Sequence, residues 1–289
     1  MKQRPTTFMQ QATNFTQFTR RLMRAGKSGD DAAMKIFRDE QPGVVAQLKR
    51  DVRRRGPLPF WGKSLNHDEF AGKVIVPPLV IRLLSKLTGR SISERTPHAG
   101  LQHCYGYLFS NLKTRFGFKR ERWIENGLED AFGLEASTLS PKPGSGTLLA
   151  NATFFCGRVA YRGRPLTNSL FESLAKRVSP DLLDLSFRSI THLRLSETVR
   201  RIWRKKIYRW TLQTDVIQAE NGFAVLAYSI RSEKRHELVT LFPVDQETVS
   251  AIRERGSISG KTECRTRYNA YIPALHGESH EGRISFREF

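Results

Sequence analysis

The chain has 289 residues, of which 39% are apolar and 26% charged. That balance fits a globular protein of one large or two smaller domains and argues against extensive disorder. No stretch approaches the ~18 consecutive apolar residues that a membrane-spanning helix needs. The 48 Lys and Arg against 28 Asp and Glu leave a formal charge of +20. Charge of that size says little about fold but points to an anionic partner. The first 60 residues carry +8 and every later segment of 40 to 50 residues is also positive, so the excess belongs to a folded surface rather than to a tail.

Cys104, Cys156 and Cys264 are an odd number at wide spacing, with no CxxC pair. Neither a zinc ribbon nor a disulfide framework follows, and a reducing, cytoplasmic setting without a cofactor is the expectation. The first 29 residues carry Lys2, Arg4, Arg20, Arg21, Arg24 and Lys27 and no acid before Asp30. They lack the apolar core of a secretory signal, and a basic helix or an organellar transit segment fits them.

Taken in chain order, Phe15, Phe18 and Leu22 recur at helical spacing until Gly26. Ser28 and Asp31 resemble a capping-box start for a helix carrying Ala33, Met34 and Phe37. Pro42 then opens a helix with Val44, Val45, Leu48 and Val52, and the cations Lys49 to Arg55 suit its C-terminal dipole. Gly56-Pro57-Leu58-Pro59 is a stiff break. Pro77-Pro78 opens a helix through Leu79, Leu83, Leu84 and Leu87 that stops at Gly89. After Pro97 another carries Leu101, Tyr105 and Leu108, is interrupted at Phe116-Gly117-Phe118, and is followed by a third with Trp123, Ile124, Leu128 and Phe132. Ser137 to Gly146 reads as a linker.

Beyond it the pattern changes to strand. Leu148 to Ala160 is rich in β-formers, and Tyr208, Trp210, Leu212 and Val216 fall on alternate positions. Asn221-Gly222 between two apolar runs is a strong hairpin signal, because both turn residues accept positive φ. Glu237–Phe242 predicts a strand, Gln246–Arg255 a helix and Arg265–Ile272 a last strand. The expected fold is α+β: a helical N-terminal half followed by a mixed, mainly antiparallel sheet. Its expected divisions are a helical basic region over 1–56, a helical basic-aromatic region over 57–139 and a mixed α+β sheet domain over 140–289.

Two segments stand out for function. Between Tyr105 and Trp123, aromatics alternate with Lys113, Arg115, Lys119, Arg120 and Arg122. Cations neutralise phosphates while aromatic faces stack on bases, so Phe116 or Phe118 would stack beside those five. In the second segment Arg200, Arg201, Arg204 and Lys205 share one face if Ser196-Glu197 starts a helix, and an external anion would relieve their repulsion. Lys142 to Thr147 is glycine-bearing but lacks the Walker pattern and reads as linker.

Candidate chemistry is sparser. His276, Glu278 and His280 alternate at a spacing a metal could use if they lay on a strand, although Gly277 and Ser279 give a loop context. His103 and Cys104 are the candidates for catalysis, but neighbours on a helix point apart, so a direct dyad is not expected. Asp181 after Pro180 reads as a helix cap, not as part of a nuclease site. The leading expectation is therefore a nucleic-acid-binding protein, with RNA or single-stranded DNA before duplex. The alternatives are an enzyme acting on a small anionic substrate in an arginine-lined pocket, and a basic module for an acidic protein or membrane surface.

Overall fold

The computed structural model describes residues 8–53, 56–68, 71–114, 117–121, 146–161, 169–178, 180–183, 191–203, 206–218, 224–232, 236–257, 261–264, 271 and 280–288. It has an α+β architecture. The N-terminal layer begins with α1 (Phe8–Gly26), α2 (Asp30–Glu40) and α3 (Pro42–Asp51), the last opened by Pro42 as its missing N–H allows. Gly29, not Ser28, sits at the N-cap of α2 and makes no side-chain cap. A short ladder follows from β1 (His67–Asp68) and β2 (Lys73–Val74). Next, α4 (Pro78–Thr88) buries Leu79, Leu83, Leu84 and Leu87 and ends at Gly89, whose φ of 65° is the left-handed cap that glycine favours.

The segment after Pro97 starts as α5 (Ala99–Leu101) and continues through a π turn (Gln102–Gly106) and a 3-10 turn (Tyr107–Phe109). The His98 ring caps it, accepting from the Leu101 N–H at 3.4 Å while its Nε2 donates to the Leu58 carbonyl at 2.9 Å. Every residue from 101 to 110 is buried. The helix stops at Phe109, and β3 (Lys113–Thr114) and β4 (Gly117–Phe118) form a small hairpin. The expected helix from Trp123 and the linker up to residue 145 lie outside the described residues.

Leu148 to Ala160 is a helix, not the expected strand: α6 (Leu148–Tyr161). Its residues 148–157 are all buried, so its apolar run has no polar stripe to reveal the helical period. Two short helices follow, α7 (Ser169–Ala175) and α8 (Pro180–Leu183).

The sheet uses β5 (Thr191–Trp203), β6 (Lys206–Gln218), β7 (Ala224–Ser232) and β8 (His236–Val244) as an antiparallel meander. After α9 (Gln246–Ser257) come β9 (Lys261–Cys264) and β10 (His280–Glu288), and the strand order is β8-β7-β6-β5-β10-β9. The residues around Arg200 are therefore strand, correcting the helical expectation. Leu193, Leu195 and Val199 alternate inward against Arg194, Ser196, Thr198 and Arg200, a period of two. The pairing Gln218↔Ala224 closes the β6–β7 hairpin foreseen at Asn221-Gly222, although those turn residues are outside the described set. Of the expected last strand only Tyr271 is described, and it is not in a strand.

Two cores flank the sheet. One face (Ile217, Val225, Ala227, Leu238, Leu241) packs on the helical layer, which draws Phe18, Phe37, Leu84, Tyr105 and Phe155 into the same cluster. The other face (Leu195, Val199, Leu212, Val216, Leu226, Tyr228) is covered by Val249 and Ile252 of α9. Gly100 lets α5 sit close to α6, since a Cβ there would lie 2.7 Å from the Trp61 ring and 2.9 Å from a Leu149 methyl.

Candidate nucleic-acid interface

The basic-aromatic segment is largely occupied with its own protein. Tyr105, Tyr107 and Phe109 are core residues, and Phe109 packs on Phe15, Phe18 and Phe37 at centroid distances of 5.9, 5.6 and 5.1 Å. Lys119 is buried and paired with the buried Asp68 at 3.0 Å, so its charge is spent inside the fold and not on a phosphate. The Arg120 guanidinium lies 4.3 Å from the centroid of the half-buried Phe118 ring and donates to Asn111 Oδ1 at 3.1 Å. Lys113 is exposed, with its ammonium 6.0 Å from that ring. Phe118 therefore already has cations at its ring. Arg115, Phe116 and Arg122 lie outside the described residues.

The catalytic candidates are also buried. Cys104 is 1% exposed, and burial pushes its thiol well above its ordinary pKa, so it stays protonated and unreactive. His103 is buried with Nδ1 donating to the Ala99 carbonyl at 2.6 Å and Nε2 3.2 Å from the Tyr107 hydroxyl. His276 and Glu278 fall outside the described residues, and His280 lies in β10 opposite Cys264. Among the described residues no group of three or more His, Cys, Asp or Glu could hold a metal ion.

A cluster that sequence reasoning missed lies on the helix-facing side of the sheet. The buried Asp215 accepts from His192 Nε2 at 2.7 Å, Arg194 Nε at 2.6 Å and Gln213 Nε2 at 2.6 Å. Two strands further on, His236 of β8 meets Ser229 Oγ of β7 at 2.9 Å, and burial, aided by Arg231 and Arg194, lowers its pKa to about 4. The signal was the polar alternation His192/Arg194 in β5 and Gln213/Asp215 in β6.

Where the helical layer ends, this same face is open. Thr198, Arg200, Arg209 and Arg231 are exposed, and Thr211 is half-buried. The register sets Arg200 directly opposite Arg209, and Thr198 opposite Thr211, which in turn faces Arg231. On the other side Thr198 pairs with Arg283 of β10. Directly paired residues share a face, and diagonal neighbours lie about 7–8 Å apart. The positions Arg200, Arg209 and Arg231 thus step across three adjacent strands, spanning about 10 Å at about 4.8 Å per strand. Among the described residues none of Arg200, Arg209 and Arg231 makes an ion pair. The same register carries the backbone position of Glu281, which pairs with Glu263 of β9, to the place beside Arg200. Arg201 shares β5, while Arg204 and Lys205 are outside the described residues.

Comparison of the chain with protein-family models, with curated proteins and with solved structures returned no match. Among the described residues no helix is long and apolar enough to cross a membrane.

Proposed function

We propose that the protein binds nucleic acid through the open end of its sheet, with Arg200, Arg209 and Arg231 as phosphate contacts. The observation that carries this reading is the cross-strand arginine pair Arg200–Arg209, exposed and making no ion pair among the described residues. Like charges set directly opposite each other destabilise a sheet, and a bound polyanion turns that repulsion into attraction. The overall charge of +20 draws the same ligand from solution.

The test is a fluorescence-anisotropy titration of mixed-sequence oligonucleotides across a salt series. Replacing the three arginines by threonine, a good strand former, should flatten the slope of log affinity against log salt by about 2–3, since each phosphate contact contributes 0.7–0.9. Unchanged affinity and slope would remove the proposal. Cys104 and His103, the residues named for the enzyme alternative, are both buried in the core.

A further inference from the structure

We infer that Ile207 is the base-contacting residue of this interface, an apolar side chain set against a base just beyond the arginines that hold the phosphates. The inference rests on the nucleic-acid reading above and deepens it. Toward its tip, the β5–β6 hairpin runs on where the described pairs of its neighbours stop. The last described pair with β7 is Trp210↔Ser232, and the last with β10 is Val199↔Gly282. There β7 turns back, since Arg231 already pairs with His236 of β8, whose ring meets Ser229 Oγ at 2.9 Å. The pairing of β5 with β6 continues through Arg200↔Arg209, Arg201↔Tyr208 and Ile202↔Ile207 to Trp203↔Lys206. At about 3.3 Å per residue, these four pairs carry the ribbon about 13 Å past the described ends of both neighbours.

On this ribbon Ile207 is 48% exposed. It stands two residues from Arg209, so the two side chains leave the same face about 7 Å apart. Arg209 in turn sits directly opposite Arg200. Among the described residues the exposed large apolar side chains are Met23, Val74, Leu183 and Ile207, and only Ile207 belongs to the six-stranded sheet. The half-buried Tyr208 and Trp210 leave the other face, where Trp210 packs on the core shared with α9. A strand does not call for isoleucine in water, because threonine forms strands as well and leaves less apolar surface exposed. The contact that uses Ile207 is with the ligand. A sugar-phosphate backbone is polar and charged, so the apolar surface of a nucleic acid lies on its bases. That surface is the face of an unpaired base, or the gap that opens when an apolar side chain wedges between stacked pairs.

The full-length chain is titrated with a mixed-sequence single-stranded oligonucleotide and with an abasic strand of equal length, which keeps every phosphate and lacks every base. The parent should bind the natural strand about fivefold more tightly than the abasic one, through burial of the part of Ile207 that the fold leaves in water. Ile207→Thr should bring the two strands within about twofold of each other at an unchanged melting temperature. It should also leave the salt slope unchanged, whereas the arginine variants flatten that slope for both strands. Ile207→Phe, an equally good strand former, should keep the preference. A duplex of the same sequence identifies the base surface. Weakening by Ile207→Thr confined to the single strand points to unpaired faces, and weakening of the duplex as well points to a wedge between pairs; both keep Ile207 on the bases. Three results overturn the inference and leave nucleic-acid binding standing: equal binding of both strands by the parent, a preference that survives Ile207→Thr, or one that Ile207→Phe also abolishes. Failure of every strand to bind overturns both.

Discussion

Asp51 shows how a single buried carboxylate organises the helical layer. It lies at the end of α3 and receives the hydroxyls of Tyr105 and Thr147 and the Leu149 N–H at 3.2 Å, while Gln47 takes the Leu148 N–H at 3.0 Å. Together they satisfy the otherwise orphaned N-terminus of α6. Burial nonetheless raises the Asp51 pKa to about 6, outweighing those hydrogen bonds. The folded state holds this proton more tightly than the unfolded chain does. Asp51 therefore favours folding below pH 3.8, and that contribution is lost as pH rises through about 6. His98 and His236 act in the opposite sense. Burial holds both near pKa 4, so the stability they contribute is present above pH 6.5 and lost as pH falls towards 4. Each shift corresponds to something on the order of 3 kcal/mol, so the two histidines outweigh Asp51 and the protein weakens as pH drops from 7 to 5. In Asp51→Asn the opposing contribution is gone, and urea midpoints measured at pH 7, 6 and 5 should fall more steeply than in the parent. A shallower fall would refute this account. Lys119 invites a second measurement. Lys119→Met leaves Asp68 buried and uncompensated, which should cost about 3–5 kcal/mol in thermal melts, and adding Asp68→Asn should restore most of it. Nucleic-acid affinity should not change, because Lys119 is not at the surface.

At the scale of elements, the β5–β6 hairpin shows what the sequence discloses and what it hides. The alternation from Tyr208 to Val216 was legible because strand period is a local property, and the Asn221-Gly222 signal fell where the β6–β7 hairpin closes. The α4 boundaries were legible for the same reason, with proline at one end and glycine at the other. The arginine run was misread, since positions 200, 201, 204 and 205 also fit a helical face. Only the preceding alternation of Leu193, Leu195 and Val199 with polar residues reveals the strand, and that pattern was outweighed by the charges. Of the candidate interface only Arg200 stood out in the sequence, and the surface as a whole was not legible. It joins positions on three strands, and only strand register brings Arg209 to Arg200 and Arg231 to Thr211. The hairpin also yields a test of why the repulsion persists. Arg209→Glu converts the pair with Arg200 into one of opposite charge, which should stabilise the sheet by about 0.2–1 kcal/mol. The same change should weaken nucleic-acid binding. A variant that melts higher yet binds less tightly would show that the opposed arginines serve the ligand and not the fold.

Across the whole molecule, the question is whether the +20 charge acts diffusely or through one surface. In the helical half several exposed cations are tied to acids: Arg21 to Glu40, Lys35 to Asp39, and Arg82 and Lys86 to Asp30. Arg20, Arg24 and Lys27 on and after α1 are exposed too, so the helical layer also carries cations at its surface. At physiological ionic strength a charge is screened over about 8 Å, so cations that do not touch the ligand contribute little beyond slow steering. Removing three charges from the sheet track should therefore differ sharply from removing three from α1. Arg200→Thr/Arg209→Thr/Arg231→Thr should lower affinity at least tenfold at 0.15 M salt and reduce the salt slope by about 2–3. Arg20→Gln/Arg24→Gln/Lys27→Gln, with the same change in net charge, should alter affinity less than threefold and the slope by less than about 1. Equal effects from the two triple variants would mean that the ligand feels total charge alone, and the sheet would then have no special part in binding.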